Sequence, residues 1–135
     1  MKVRYSTASR PAAPLVPLWV AHPGAVELGR VGSAQLDTGA DRTVIPLALV
    51  SALGLRYIDE LEAVVAGGAV VAFPIHEVFL RIHAVMDFVL EVAVHPDEPR
   101  VLLGRDVLNA LYANLNGPTR ILELSAQAIT PQATP

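Results

Sequence analysis

The segment at residues 34–46 holds the residue types best suited to chemistry in this chain, and it reads A-Q-L-D-T-G-A-D-R-T-V-I-P. An acid, a hydroxyl and a glycine stand in a row as Asp37, Thr38 and Gly39. The apolar residues on either side place the carboxylate at the end of a buried strand, where it could give or take a proton. Gly39 permits a close approach that a side chain would block, and Thr38 can hold the turn by a local hydrogen bond. Taken alone, the three residues also fit an ordinary surface turn.

A second segment, at residues 101–111, reads V-L-L-G-R-D-V-L-N-A-L. An apolar triplet runs into Gly104, and a short amphipathic stretch follows. Together and in this order, the two segments resemble the retropepsin-like aspartic proteases, in which D-T-G-A-D-x-T-V-I/L precedes an apolar pair and G-R-D/N-x-L. The resemblance covers residues 15–124. It implies an all-β fold, a retropepsin-like closed β-barrel with a flap hairpin and two short helices.

The resemblance also implies an activity, that of an aspartic endopeptidase acting on a peptide or protein substrate. In this chemistry two carboxylates share one proton, and together they activate a water and polarise the scissile carbonyl. Members with two lobes carry two D-T/S-G motifs, whereas this chain carries one. An active enzyme of this kind would therefore be a symmetric homodimer, with Asp37 of each chain on the two-fold axis. Viral relatives interleave their terminal strands at the interface, and here the candidate strand is at residues 120–124.

Individual roles follow from the resemblance alone. It implies that Thr38 bonds across the dimer beneath the acids, and that Gly39 offers its carbonyl to the substrate backbone. Asp41 and Arg105 match positions that form an ion pair in relatives, although a solvated helix start is the alternative for Arg105 and Asp106. The catalytic residues expected are Asp37, Thr38 and Gly39, and the supporting residues are Ala40, Asp41, Gly104 and Arg105.

A glycine pair at Gly67 and Gly68 separates two predicted strands, at residues 61–66 and 69–82. Without the resemblance this is an ordinary hairpin, whereas in the family it is the flap that closes over the bound peptide. Arg100 stands where relatives have an apolar residue, so subsite preference stays open. The substrate-binding residues expected are Gly67, Gly68, Val44, Pro99 and Leu102.

The other elements follow from periodicity and turn residues. We expect strands at residues 15–20, 86–94, 101–103, 112–116 and 120–124, a hairpin joining residues 25–28 to 31–36, and helices at residues 46–53 and 105–111. Residues 1–14 are expected to form a flexible arm, residues 15–124 the protease domain, and residues 125–135 a flexible tail.

Composition narrows the classes of function. The 135 residues suit one domain, and the net charge of −3 without a Lys/Arg cluster argues against nucleic-acid binding. We find no signal peptide and no run of 18 apolar residues, so no membrane contact is expected and the cytoplasm is the expected location. Four histidines without metal-ligand spacing, and no cysteine, predict no metal site and no cofactor.

Three interpretations remain open. The leading one is a homodimeric retropepsin-type endopeptidase. The alternative is a catalytically silent relative that keeps the fold as a dimerisation or peptide-binding module. A third is a hydrolase with a very narrow set of substrates. The intact D-T-G-A at residues 37–40 favours an enzyme.

Overall fold

The computed structural model describes residues 1–129. The strands are β1 (Lys2–Arg4), β2 (Leu15–Ala21), β3 (Arg30–Leu36), β4 (Val44–Pro46), β5 (Tyr57–Val64), β6 (Val70–Ile82), β7 (Met86–His95), β8 (Val101–Leu103), β9 (Tyr112–Asn116) and β10 (Ile121–Ser125). The helices are α1 (Leu47–Leu53), α2 (Arg105–Leu108) and a single 3-10 turn at Val26–Leu28. Within the described residues, no helix has the length and apolar character needed to cross a membrane.

Six of the strands close into a barrel in the order β2-β3-β8-β4-β7-β6, and β6 pairs back to β2. The β3–β8 and β4–β7 pairs are parallel, and the others are antiparallel. Within residues 1–129, strand β5 pairs only with β6, so the two form a hairpin that extends from the barrel. The expected all-β closed barrel with two short helices is thereby confirmed, and a hairpin lies where the flap was expected.

Alternation along β7 explains how the barrel wall is built. Asp87, Val89 and Glu91 are exposed, whereas Val92, Ala93 and Val94 are all buried. The pattern changes where β4 joins the sheet through the pairing of Val44 with Ala93. Beyond that point both faces of β7 are covered, as in other buried strands.

Two local elements differ from the sequence-based expectation. Residues 25–28 do not form a hairpin with residues 31–36, because β3 pairs with β2 instead. The indole N–H of Trp19 donates to the Val26 carbonyl at 2.7 Å and draws that segment into a 3-10 turn. The helix expected at residues 105–111 ends at Leu108, since the chain tightens through a bond from the Leu111 N–H to the Leu108 carbonyl and then enters β9.

The flexible arm expected at residues 1–14 is also corrected, because β1 pairs with β10. The terminal amino group of Met1 donates to the Leu124 carbonyl at 2.9 Å, and the Leu124 N–H returns a bond to Met1 at 2.9 Å. Strand β10 buries Leu122 and Leu124 in the core, and β1 satisfies its outer edge. Of the tail expected at residues 125–135, residue 125 belongs to β10 and residues 130–135 lie outside the described residues.

His76 on β6 is half-buried, and we expect it to make the fold sensitive to acid. Its Nδ1 is buried and has no hydrogen-bond partner among the described residues, and burial lowers the pKa of His76. A lowered pKa means that the unfolded chain binds the proton more readily, so stability falls as the pH drops below the unfolded value of about 6.5.

We expect His76→Phe to lose less stability than the wild type between about pH 7 and pH 5. Thermal midpoints across that interval measure the difference, and His83→Phe, at an exposed histidine, is the matched control. Equal losses for the wild type and His76→Phe would show that His76 is not responsible.

Candidate active site

The turn that carries Asp37 begins where two parallel strands end together. Leu36 of β3 lies beside Leu103 of β8. The Asp37 N–H then donates to the Leu103 carbonyl at 2.9 Å, and the Ala40 N–H closes the turn on the Asp37 carbonyl at 3.2 Å. These backbone hydrogen bonds therefore fix the position of Asp37 at the wall of the barrel.

The Asp37 side chain is half-buried, while Thr38 and Gly39 are exposed. The Gly39 N–H donates to Asp37 Oδ1 at 3.0 Å, which orients the carboxylate and leaves its second oxygen free of any bond within the described residues. A Cβ on residue 39 would lie 3.2 Å from that same oxygen, so glycine is the residue that fits the turn without crowding the acid. A half-buried carboxylate with one free oxygen can bind and activate a water.

Arg105 braces the turn, although not through the expected partner. Its guanidinium Nη1 donates to the Thr38 carbonyl at 2.7 Å, and its backbone N–H donates to the Ala40 carbonyl at 2.9 Å. The expected ion pair between Arg105 and Asp41 is wrong for this chain, since no ion pair joins them in residues 1–129. The carbonyl of Thr38 takes the guanidinium, and Asp41 remains exposed.

A second connection, between Thr43 and Asp106, was not anticipated from the sequence. The Asp106 carboxylate accepts the Thr43 N–H at 3.0 and 3.1 Å and the Thr43 hydroxyl at 2.7 Å. That hydroxyl in turn accepts the Gly104 N–H at 3.1 Å. Thr43 is fully buried, so this network ties the chain after the Asp37 turn to the G-R-D turn. Both residues stand inside the two motifs, but spacing alone does not show that their side chains meet.

Thr43→Val should destabilise the fold by about 1–3 kcal/mol, because the buried Gly104 N–H loses its acceptor and the Asp106 carboxylate loses a donor. Valine keeps the shape of threonine, so packing changes little. Urea unfolding measures the loss, and Thr119→Val at an exposed threonine is the control. Unfolding free energies that match for the two variants would mean that the network contributes nothing.

The residues expected to bind substrate are only partly assembled within one chain. Val44 and Leu102 are direct neighbours across the β4–β8 pair, and both are half-buried. Pro99 lies in the exposed segment before β8. Gly67 and Gly68 form the tip of the β5–β6 hairpin with φ values of +94° and +83°, and a Cβ on either would meet no atom within 4 Å.

A cleft of about 620 Å³ runs beside the hairpin. The His95 ring stacks on Phe73 of β6 with ring centroids 5.7 Å apart, and both residues line the cleft together with Leu47 and Val71. Residues 37–40 do not line it, so the cleft suits a part of a ligand away from the acid. In residues 1–129 no group of three or more His, Asp or Glu side chains could hold a metal ion.

The chain is similar to known aspartic proteases in sequence and in fold. The family described as aspartyl protease matches residues 23–107. The structure of EIAV protease complexed with the inhibitor HBY-793 is similar with a TM-score of 0.57 and 23% identity, over 79% of this chain and 92% of that one. A retropepsin-like aspartic protease from Rickettsia conorii is similar with a TM-score of 0.59 and 14% identity, over 90% of this chain and 88% of that one. No curated protein sequence gives a significant match.

Proposed function

The chain belongs to the aspartyl protease family and has its retropepsin-like fold, and on that premise we propose that it is an aspartic endopeptidase whose active site forms from two copies. The observation that carries the proposal is the Asp37 turn itself. A single half-buried carboxylate is fixed at the end of paired strands, and the chain holds one D-T-G only. A half-site of this form is completed by a two-fold axis that brings a second copy of Asp37 beside the first.

The mechanism assigns the two carboxyl groups opposite roles. Like charges at close range repel, so one group holds a proton while the other is ionised. The ionised group removes a proton from the bound water, and the water oxygen attacks the scissile carbonyl carbon, whose oxygen is polarised by the protonated group. When the tetrahedral intermediate collapses, the C–N bond breaks and the amine nitrogen takes a proton from a carboxyl group. The Gly39 N–H holds each acid in orientation through these steps.

The proposed substrate is an extended peptide. Such a chain binds through main-chain hydrogen bonds, with alternate side chains in pockets. Val44 and Leu102 offer an apolar wall beside the Asp37 turn, and the Gly39 carbonyl is the proposed contact to the peptide backbone. Pro99 and the hairpin tip at Gly67 and Gly68 are proposed to line the remaining sides. Thr38 is proposed to bond to its symmetry mate beneath the two acids.

We expect the double substitution of Gly67 and Gly68 by valine to lower turnover by more than about tenfold, and to impair turnover more than stability. β-branched residues disfavour the left-handed backbone of the tip, so its conformations change, while the open space around it prevents a clash. Steady-state cleavage and thermal midpoints separate the two effects. Ala66→Val adds bulk to the same tip without touching the glycines, and it should cleave almost normally. Unchanged turnover in the double variant would mean that the hairpin is not a flap.

The direct test of the function is cleavage of a peptide library, at acidic and neutral pH, by the wild type and by Asp37→Asn. Cleavage by the wild type alone supports the endopeptidase. A wild type that dimerises and binds peptides without cutting them would support the silent module instead.

A further inference from the structure

We infer that the proposed protease selects peptides with acidic side chains, whose carboxylates bind to Arg42 and Arg100 beside the Asp37 turn. The inference rests on the proposed function, because it assumes that a peptide lies across this turn, and it names the substrate class. Three observations support it: the strand register around Leu102, the lack of acidic partners for the two guanidinium groups within residues 1–129, and the apolar wall between them.

Strand register places Arg100 on the sheet face that carries Asp37. Leu102 of β8 lies beside Gln35 of β3. The ladder continues to Asp37, whose N–H donates to the Leu103 carbonyl at 2.9 Å. Side chains alternate between the two faces of a strand, so Asp37 shares the face of Gln35, two residues before it. Arg100, two residues before Leu102, lies on that same face. The exposures agree, because Leu103 is fully buried while Leu102 and Arg100 are half-buried.

Arg42 approaches the same face from the start of β4. It precedes Val44 by two residues, and Val44 pairs with Leu102 across β4 and β8. The guanidinium Nη1 of Arg42 donates to the Glu91 carbonyl at 3.3 Å, so the side chain extends from β4 toward β7. Because β4 and β8 are antiparallel, the two arginines lie at opposite ends of the apolar pair formed by Val44 and Leu102.

Within residues 1–129, neither arginine has an acidic partner. The acids nearest to them in sequence are Asp41 and Glu98, and no ion pair joins either acid to one of the arginines. Arg42 contacts the backbone carbonyl of Glu91 and not its carboxylate, so its positive charge is uncompensated. The chain as a whole has a net charge of −3, yet these two positive charges stay unpaired in the described part of the chain. Positive charge on a binding surface attracts acidic ligands and discriminates against basic ones.

The chemistry of this face suits a peptide that carries carboxylates. A guanidinium group binds a carboxylate through two parallel N–H···O bonds. Arg100 is half-buried, where water and salt screen its charge less than at full exposure. The wall of Val44 and Leu102 suits the apolar side chains of the same peptide. The two arginines also offset the repulsion between an acidic peptide and an ionised Asp37.

Matched peptide libraries test this selection directly. Each library fixes Glu, Gln or Lys at one position of an otherwise random peptide, and binding to Asp37→Asn is measured so that cleavage does not interfere. We expect the best Glu library to bind about tenfold more tightly than its Gln counterpart, and the Lys library to bind most weakly. The preference should weaken at high salt and below about pH 4, where peptide carboxyl groups take up protons while guanidinium groups stay charged. Equal binding of the Glu and Gln libraries at every position would overturn the inference.

Charge reversal separates peptide selection from a structural role of the arginines. In the Asp37→Asn background, Arg42→Glu combined with Arg100→Glu should bind the Lys libraries in preference to the Glu libraries. Arg30→Glu, at an exposed arginine at the far end of β3, is the matched control and should keep the preference for Glu. If the double variant unfolds, Arg42→Gln with Arg100→Gln replaces it and should bind the Glu and Gln libraries equally. Weaker binding of all libraries alike, with the preference for Glu retained, would overturn the assignment to these arginines.

Cleavage by the protein with Asp37 intact distinguishes this inference from the proposed function. Cleavage of the Glu and Gln libraries at equal rates would overturn the inference and leave the endopeptidase intact. Preferred binding of the Glu libraries, without cleavage at any pH, would contradict the proposed function alone.

Discussion

Replacing Asp37 with asparagine should lower kcat/KM for a cleavable peptide by about 10⁴-fold. The amide has nearly the shape of the carboxylate and can still accept the Gly39 N–H, so the turn keeps its geometry. It cannot take a proton from water, and no other carboxylate is held at this turn by a backbone bond. The loss therefore falls on the chemical step and not on folding. Initial rates at saturating and at low peptide concentration measure it.

The dimer of the same variant, by contrast, should be more stable than the wild-type dimer. Two ionised carboxyl groups repel each other across the proposed axis, and two amides do not. We expect the Asp37→Asn dimer to dissociate less readily than the wild type near neutral pH, because the variant carries no charge at the proposed axis. Asp59→Asn, at an exposed acid on β5, controls for the loss of one charge. Unfolding of Asp37→Asn would recast Asp37 as a structural residue.

Gly104→Ala should destabilise the fold by about 3 kcal/mol, because the added methyl group has no room. A Cβ at residue 104 would lie 2.5 Å from the Arg42 carbonyl carbon, 2.7 Å from the Arg42 carbonyl oxygen and 2.8 Å from the Thr43 nitrogen. All three are backbone atoms, which cannot turn aside as the end of a side chain would. The chain must shift, and the shift breaks the bond from the Gly104 N–H to the Thr43 hydroxyl.

The rate of peptide cleavage by Gly104→Ala should fall together with its stability. Leu103, one residue earlier, accepts the Asp37 N–H, so movement at residue 104 misplaces the carboxylate. Urea unfolding and peptide cleavage measure the two losses together. Gly117→Ala is the matched control, since a Cβ there would meet no atom within 4 Å. If the two alanine variants unfold at the same urea concentration, the close packing of residue 104 is unimportant.

Local patterns were sufficient to predict much of this fold. The alternation along residues 86–94 predicted β7, and the glycine pair at Gly67 and Gly68 predicted the hairpin tip, where both residues have positive φ. Pro46 and Gly54 predicted the limits of α1, and Gly54 does end the helix in the left-handed conformation at φ +59°. These features depend only on residues close together in the sequence, so local sequence patterns are enough to predict them.

Contacts between distant segments could not be predicted in the same way. The Thr43 hydroxyl donates a hydrogen bond to Asp106, which lies 63 residues further along the chain, and no sequence periodicity indicates this contact. The same limit explains the wrong prediction for Arg105. Its guanidinium could bind the Asp41 carboxylate or the Thr38 carbonyl of the same loop, and the sequence does not show which of the two it contacts. Strand β1 was missed because three residues are too few to show alternation, and its pairing depends on the edge that β10 presents.

Mixing the wild type with Asp37→Asn at constant total concentration tests the two-chain active site most directly. If each site needs Asp37 from both copies and the chains pair at random, an equal mixture should retain about one quarter of the cleavage rate of the pure wild type. Mixed dimers then contain one acid and are inactive. A mixture that retains about one half of the rate would show that each chain works alone, and would contradict the proposal that two copies form one site.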